Sequence, residues 1–193
     1  MLVSGLDLGE LKVSRRLWSA AAGFVALTVS SLPTSAAEPD STGFIPDITI
    51  IEIMESIVMP SAQAIWDAVG VDVTAQGQIE KKPETEEQWA ALRAAAVTLA
   101  EATNALVVPG RHAAPPGTKS ENPDAELEPA AIEALLKKDR PAWVAHAAVL
   151  HATAIQAIGA IDARNIDQIS EVGGAIDEAC EGCHLQFWYP DQK

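Results

Sequence analysis

A chain of 193 residues with 13 Lys and Arg against 27 Asp and Glu carries a formal charge of −14. That length suits one packed domain and leaves little room for a second, and the acidic balance argues against nucleic acid as a partner. Aromatic residues make up only 5% and alanine is abundant, a balance that favours close-packed helices over sheets, so an all-α domain is expected.

At the N-terminus Lys12, Arg15 and Arg16 precede an apolar run from Leu17 to Leu32, and Ser35-Ala36-Ala37 supplies small residues where a signal peptidase cuts. Residues 1–37 therefore read as a signal peptide and residues 38–193 as an exported, periplasmic domain. The apolar run is shorter than the roughly 20 residues a spanning helix needs, and Ser19, Thr28, Ser30 and Ser31 interrupt it. No stable membrane insertion is expected after cleavage. Removing the leader takes away three basic and two acidic residues, which leaves 10 basic against 25 acidic. Such a surface is mainly a solvated one, and any docking partner should present a basic face.

From Ile48 to Val69 apolar residues recur at Ile51, Met54, Val58, Ile65 and Ala68, which predicts a first helix, with Pro60 either kinking it or opening a restarted turn. Gly70 marks its end. Thr85 followed three residues later by Gln88 has the form of a capping box. Trp89, Leu92, Ala96, Leu99, Thr103 and Leu106 then lie on one face of a second helix that stops at Pro109-Gly110. Arg111 to Asp124 reads as a surface loop, and Pro129 to Lys138 as a short helix. Pro141 opens a third long helix to about Ala163, with Val144, Ala147, His151, Ala154, Ile158 and Ile161 along its stripe. Asn165 and Gln168 repeat the capping spacing. The last helix has its seam at Ile166, Ile169, Gly173, Ile176, Cys180, Cys183 and Phe187. Short connections make neighbouring helices antiparallel, so an up-down four-helix bundle is expected. No internal repeat or low-complexity tract argues otherwise.

Cys180-Glu181-Gly182-Cys183-His184 is a C-x-x-C-H, the attachment sequence of c-type haem. Helical positions three apart face the same way, so the two thiols can each bond a vinyl edge of one porphyrin. The adjacent imidazole of His184 is then placed to ligate the iron from its proximal side. A structural disulfide, a thioredoxin-like redox pair and a zinc site use overlapping residues. The redox pair wants a βαβ setting that this chain lacks, and zinc wants a fourth ligand that no spacing suggests.

A helical chain with this motif near the end of its last helix resembles the cytochrome c-prime superfamily over roughly residues 46 to 190. Met54, Ala64-Ile65-Trp66-Asp67 and Gly173-Gly174 add weaker points of similarity. The resemblance implies one covalently attached haem c near the C-terminal end of a four-helix bundle. It also implies either a distal face open to gases or one closed by a methionine of the first helix. Phe187 departs from the pattern, because a Tyr often follows the haem His by three.

The expected mature domain holds two thioethers. Met54 shares the apolar stripe, whereas Met59 has Glu52, Glu55, Ser56 and Gln63 around it, so Met54 is the expected distal iron ligand. His151 on the third helix reads as a core residue, and His146 and His112 lie elsewhere. Trp66, Trp89, Trp143 and Trp188 read as core or haem-wall residues. With His184 and Met54 both ligating, the chain would be an electron carrier with a redox partner protein. With the distal side open, it would bind nitric oxide or carbon monoxide. A haem-free helical module with a Cys180–Cys183 disulfide is the third reading. No constellation resembles an activated nucleophile or an acid–base pair, so no enzyme is expected. Pairing of two copies into a homodimer is left open.

Overall fold

The structure, a computed structural model, describes residues 43–192, and the expected leader falls outside them. The first helix, α1, is α-helical over Ile50–Ile53, turns as a π-helix over Met54–Val58, and is α-helical again over Met59–Trp66. A hairpin follows, β1 over Gly70–Thr74 and β2 over Gly77–Lys81, and then α2 over Glu86–Leu106. Further on come α3 over Pro129–Lys138, α4 over Arg140–Asp162 and α5 over Ile166–Phe187. The described chain is thus mostly helical, with one small antiparallel ribbon.

Local chemistry sets most boundaries. The N–H of Gln88 donates to Thr85 Oγ1 at 3.3 Å and the N–H of Thr85 donates to Gln88 Oε1 at 3.1 Å, closing the capping box of α2. Asn165 caps α5 by accepting from the N–H of Gln168 at 3.1 Å. At the start of α1, Thr49 donates through both its backbone N–H and its hydroxyl to Glu52, at 2.9 and 2.6 Å. The carbonyls of His112 and Ala113, in the long loop, accept from the N–H groups of Ile50 and Ile51 at 2.9 and 3.0 Å. That loop therefore supplies acceptors for donors that no helical carbonyl can reach.

The π turn is the local answer to Pro60. Proline has no N–H to donate, and its ring crowds the carbonyl four residues back. Instead, the N–H of Met59 reaches five residues back to the carbonyl of Met54, and Pro60 sits in the first turn of the restarted α-helix. One extra residue in that turn rotates the faces before and after it against each other. Ile53 is consequently buried while Ile51 and Met54 are only half-buried, a shift that uniform spacing does not reveal.

Two further differences from the sequence expectation have simple causes. The hairpin was not expected, because its Ala75-Gln76 loop lacks the Asn-Gly or Asp-Gly signature; Gly77, at φ +124°, supplies the backbone freedom just after it. In α4 Trp143 is buried, in keeping with its reading as a core or haem-wall residue, but Val144, placed on the stripe, is 41% exposed. That helix packs on α2 along one side and on α5 along another, so it has two apolar faces where a single stripe was sought.

The interior is built mainly from α1, α2, α4 and α5. Its largest fully buried side chains are Ile65, Leu99, Ile169 and Ile176, each contributing about 1.5–3 kcal/mol through removal from water. The second half of α1 packs on both α2 and α5, whereas its first residues and π turn pack chiefly on α2.

Candidate functional site: the C-terminal end of α5

The seam of α5 runs as expected through Ile169, Gly173 and Ile176, all buried, to Cys180 and Cys183, which are half-buried against the core. The two thiols lie three residues apart within one unbroken helix, so they share a face. Burial pushes the Cys180 thiol up to about 11, with the Asp177 carboxylate adding to the effect. Burial pushes Cys183 up to about 12, helped by Cys180 itself. Both sulfurs are therefore protonated at neutral pH. A redox-active C-x-x-C depends on a thiolate held well below its ordinary range, and this pair has the opposite electrostatics.

His184 is half-buried at the same end. Burial pulls its imidazole below the ordinary range, against an opposing pull from Glu181. Its carbonyl accepts from the N–H groups of both Trp188 and Tyr189, at 2.8 and 3.0 Å, which turns the chain back across the helix end. Trp188 then meets the imidazole edge-on at 4.9 Å between centroids, and Tyr189 lies 5.9 Å away. The Tyr189 hydroxyl donates to Glu181 Oε2 at 2.6 Å, and burial together with that carboxylate raises it to about 12. From sequence Trp188 reads as a core or haem-wall residue, and Tyr189 is not singled out. The signal was present in Trp188-Tyr189 directly after the last apolar seam residue.

Phe187 does not serve His184. It is buried edge-on against Trp143 at 5.8 Å and His146 at 5.9 Å, both on α4. Trp188 is not a core residue, being 37% exposed. Trp66 is half-buried and donates through Nε1 to the carbonyl of Gly173 at 2.8 Å, tying α1 to α5. A groove of about 370 Å³ lies there, between Ile65, Trp66 and Val69 on one side and Ile169, Gly173 and Asp177 on the other. Asp177 is one helical turn before Cys180 on the same face.

Met54 borders the same core cluster as the two cysteines, from α1, whereas Met59 is 53% exposed. His151 is engaged elsewhere: its Nδ1 lies 3.0 Å from the Ala100 carbonyl and 3.1 Å from Thr103 Oγ1. A carbonyl only accepts, so that nitrogen carries the proton. His146 pairs through Nε2 with Gln186 Oε1 at 2.9 Å, and His112 with Glu133 at 3.1 Å. Among the described residues no three His, Cys, Asp or Glu side chains converge as a metal cluster would require.

Two thiols on one helical face can each bond a vinyl edge of one porphyrin and the imidazole beside them can ligate its iron, so these residues suit a covalently held haem. Searches against protein-family models, curated proteins and solved structures return no match to this chain.

Proposed function

We propose that this chain is an exported monohaem c-type cytochrome of the cytochrome c-prime kind, a four-helix up-down bundle that carries electrons. Cys180 and Cys183 would hold haem c through thioethers, with His184 as the proximal iron ligand and Met54 as the distal one. When bound, the haem supplies one-electron exchange at its iron. The chain's own residues attach it, shield it and set its axial field. Trp188 and Tyr189 orient the imidazole of His184, and the apolar seam of α5 keeps water from that side. The acidic balance of the chain suits a redox partner with a basic docking face.

The observation that carries this reading is the placement of C-x-x-C-H in the last turns of α5, with both thiols half-buried on the core seam and His184 packed edge-on against Trp188. The test is expression in a host competent in cytochrome c maturation. Haem should stay with the polypeptide under denaturing, reducing conditions, and Cys180→Ser or Cys183→Ser should weaken its retention. Recovery of mature protein without haem from such a host would sink the proposal.

A second reading, reversible binding of nitric oxide or carbon monoxide on an open distal face, is favoured by one feature. The π turn directs Ile53 into the core and leaves Met54 half-buried. The two readings differ by a single axial bond.

A further inference from the structure

Four arginines fall among the described residues, and they divide into two pairs. Arg93 is held by Asp162 at 2.7 Å and Arg164 by Glu86 at 2.5 Å, both on the surface. Arg111 and Arg140 have no carboxylate partner among the described residues, in a chain with twice as many acids as bases. Both instead meet the C-terminal end of α2. Arg111 donates through Nε to the Ala105 carbonyl at 2.8 Å and through Nη1 to the Ile48 carbonyl, and Arg140 donates through Nη2 to the Val107 carbonyl.

Capping a helix C-terminus is a favourable use of a cation, but it does not exhaust a guanidinium, which has five N–H groups in a fixed fork. These contacts account for two of the donor nitrogens of Arg111 and one of Arg140. Both side chains line a cavity of about 150 Å³, together with Lys137 and the apolar side chains of Ile50, Leu106 and Leu136. The single acid on its wall, Glu133, is already engaged by Lys137 at 2.6 Å and by His112 at 3.1 Å. Lys137 and Glu133 cancel, and two guanidinium charges remain beside a small, partly apolar hollow.

We propose that this cavity is a binding site for a small aliphatic carboxylate, with the free N–H groups of Arg111 and Arg140 gripping the carboxylate and Ile50, Leu106 and Leu136 taking the hydrocarbon. Its volume of about 150 Å³ suits a short-chain acid. A guanidinium fork matches the two oxygens of a carboxylate in one plane, and the apolar floor selects an acid with a tail over inorganic phosphate. None of Cys180, Cys183 and His184 lines the cavity, and the proposal does not rest on the haem reading.

Equilibrium dialysis of the full chain against radiolabelled butyrate tests it. Saturable binding of one butyrate per chain is expected, with inorganic phosphate competing weakly. Arg140→Lys, which keeps the charge and loses the fork, should weaken binding roughly tenfold. Lys137→Gln, at an exposed position that leaves Glu133 uncompensated, should weaken it as well. Arg93→Gln makes the same charge change as Lys137→Gln away from the cavity and should leave binding unaltered. If Arg140→Lys does not fold, the contrast between Lys137→Gln and Arg93→Gln decides. Absence of saturable butyrate binding, equal competition by phosphate, or equal loss in Lys137→Gln and Arg93→Gln would overturn the proposal.

Discussion

The first and last helices border one core but are built by different rules. α5 is 22 residues of unbroken α-helix, so its spacings of three and four translate directly into a face. The positions of Cys180, Cys183 and His184 relative to one another follow from backbone geometry alone. α1 contains a proline and gives up one turn of its regular ladder to accommodate it. The direction in which Met54 points is therefore a consequence of how that turn is wound and of what packs against it. A set of donors contained in one unbroken helix is robust, and a donor placed across a π turn is adjustable.

The largest effect expected from this contrast is at the robust end. If haem is attached as proposed, replacing both Cys180 and Cys183 by Ala should abolish attachment, and the unfilled space and lost ligand linkage should lower Tm by roughly 10 °C or more. Thermal unfolding of the haem-free variant checks this, and an unchanged Tm would show that the helices pack without the cofactor. At the adjustable end, Met54→Ala should make the reduced protein bind carbon monoxide readily, while Met59→Ala leaves the spectrum nearly unaltered. An unmutated protein that already binds carbon monoxide with a five-coordinate spectrum would assign the chain to gas binding instead.

Smaller effects come from the contact between the two helices. A Cβ on Gly173 would stand 3.3 Å from Cδ1 of Trp66, whereas one on Gly174 would meet nothing within 4 Å. Gly→Ala in a helix gains up to about 1 kcal/mol. At position 174 that gain should appear almost whole. At position 173 overpacking of about 1–2 kcal/mol and the strained Trp66 hydrogen bond, worth about 1 kcal/mol, should outweigh it. Chemical denaturation of the two variants should therefore give opposite signs.

The smallest effect is at the start of α1. The hydroxyl and amide of Thr49 hold the Glu52 carboxyl below its ordinary range. A carboxylate with a depressed folded pKa stabilises fully above its unfolded pKa, and that contribution is lost as pH falls through the folded value. Glu52→Gln should thus lower Tm slightly at neutral pH and converge with the parent as pH falls through the folded value, so that its fall in acid is flatter. A variant whose Tm equals the parent's at neutral pH as well as in acid would remove this cap from the account.

Local signals carried much of this architecture. The Thr85 and Asn165 caps, the short helix after Pro129 and the whole seam of α5 depend on residues within four positions of each other, and each was legible from spacing. What escaped depends on partners distant in sequence. Val144 is exposed because α4 packs on two helices at once and not along the one stripe that holds it. Ile53 is buried and Met54 half-buried at the core's edge because Pro60 changes the winding of the turn before it. The rings beside His184 arrive because the chain reverses after Phe187, where the N–H of Leu127 donates to the Trp188 carbonyl at 2.9 Å.

The hairpin between α1 and α2 has a practical consequence. All ten of its strand residues are exposed, so its tip can be lengthened without disturbing a packed neighbour, and each doubling of a flexible loop costs only about 0.6 kcal/mol. A peptide tag spliced between Ala75 and Gln76 would give the molecule a handle remote in sequence from Cys180 and His184. Immobilised through it on an electrode or sensor surface, every copy would present itself in one orientation, and current or gas uptake could be compared between orientations by moving the tag to a terminus.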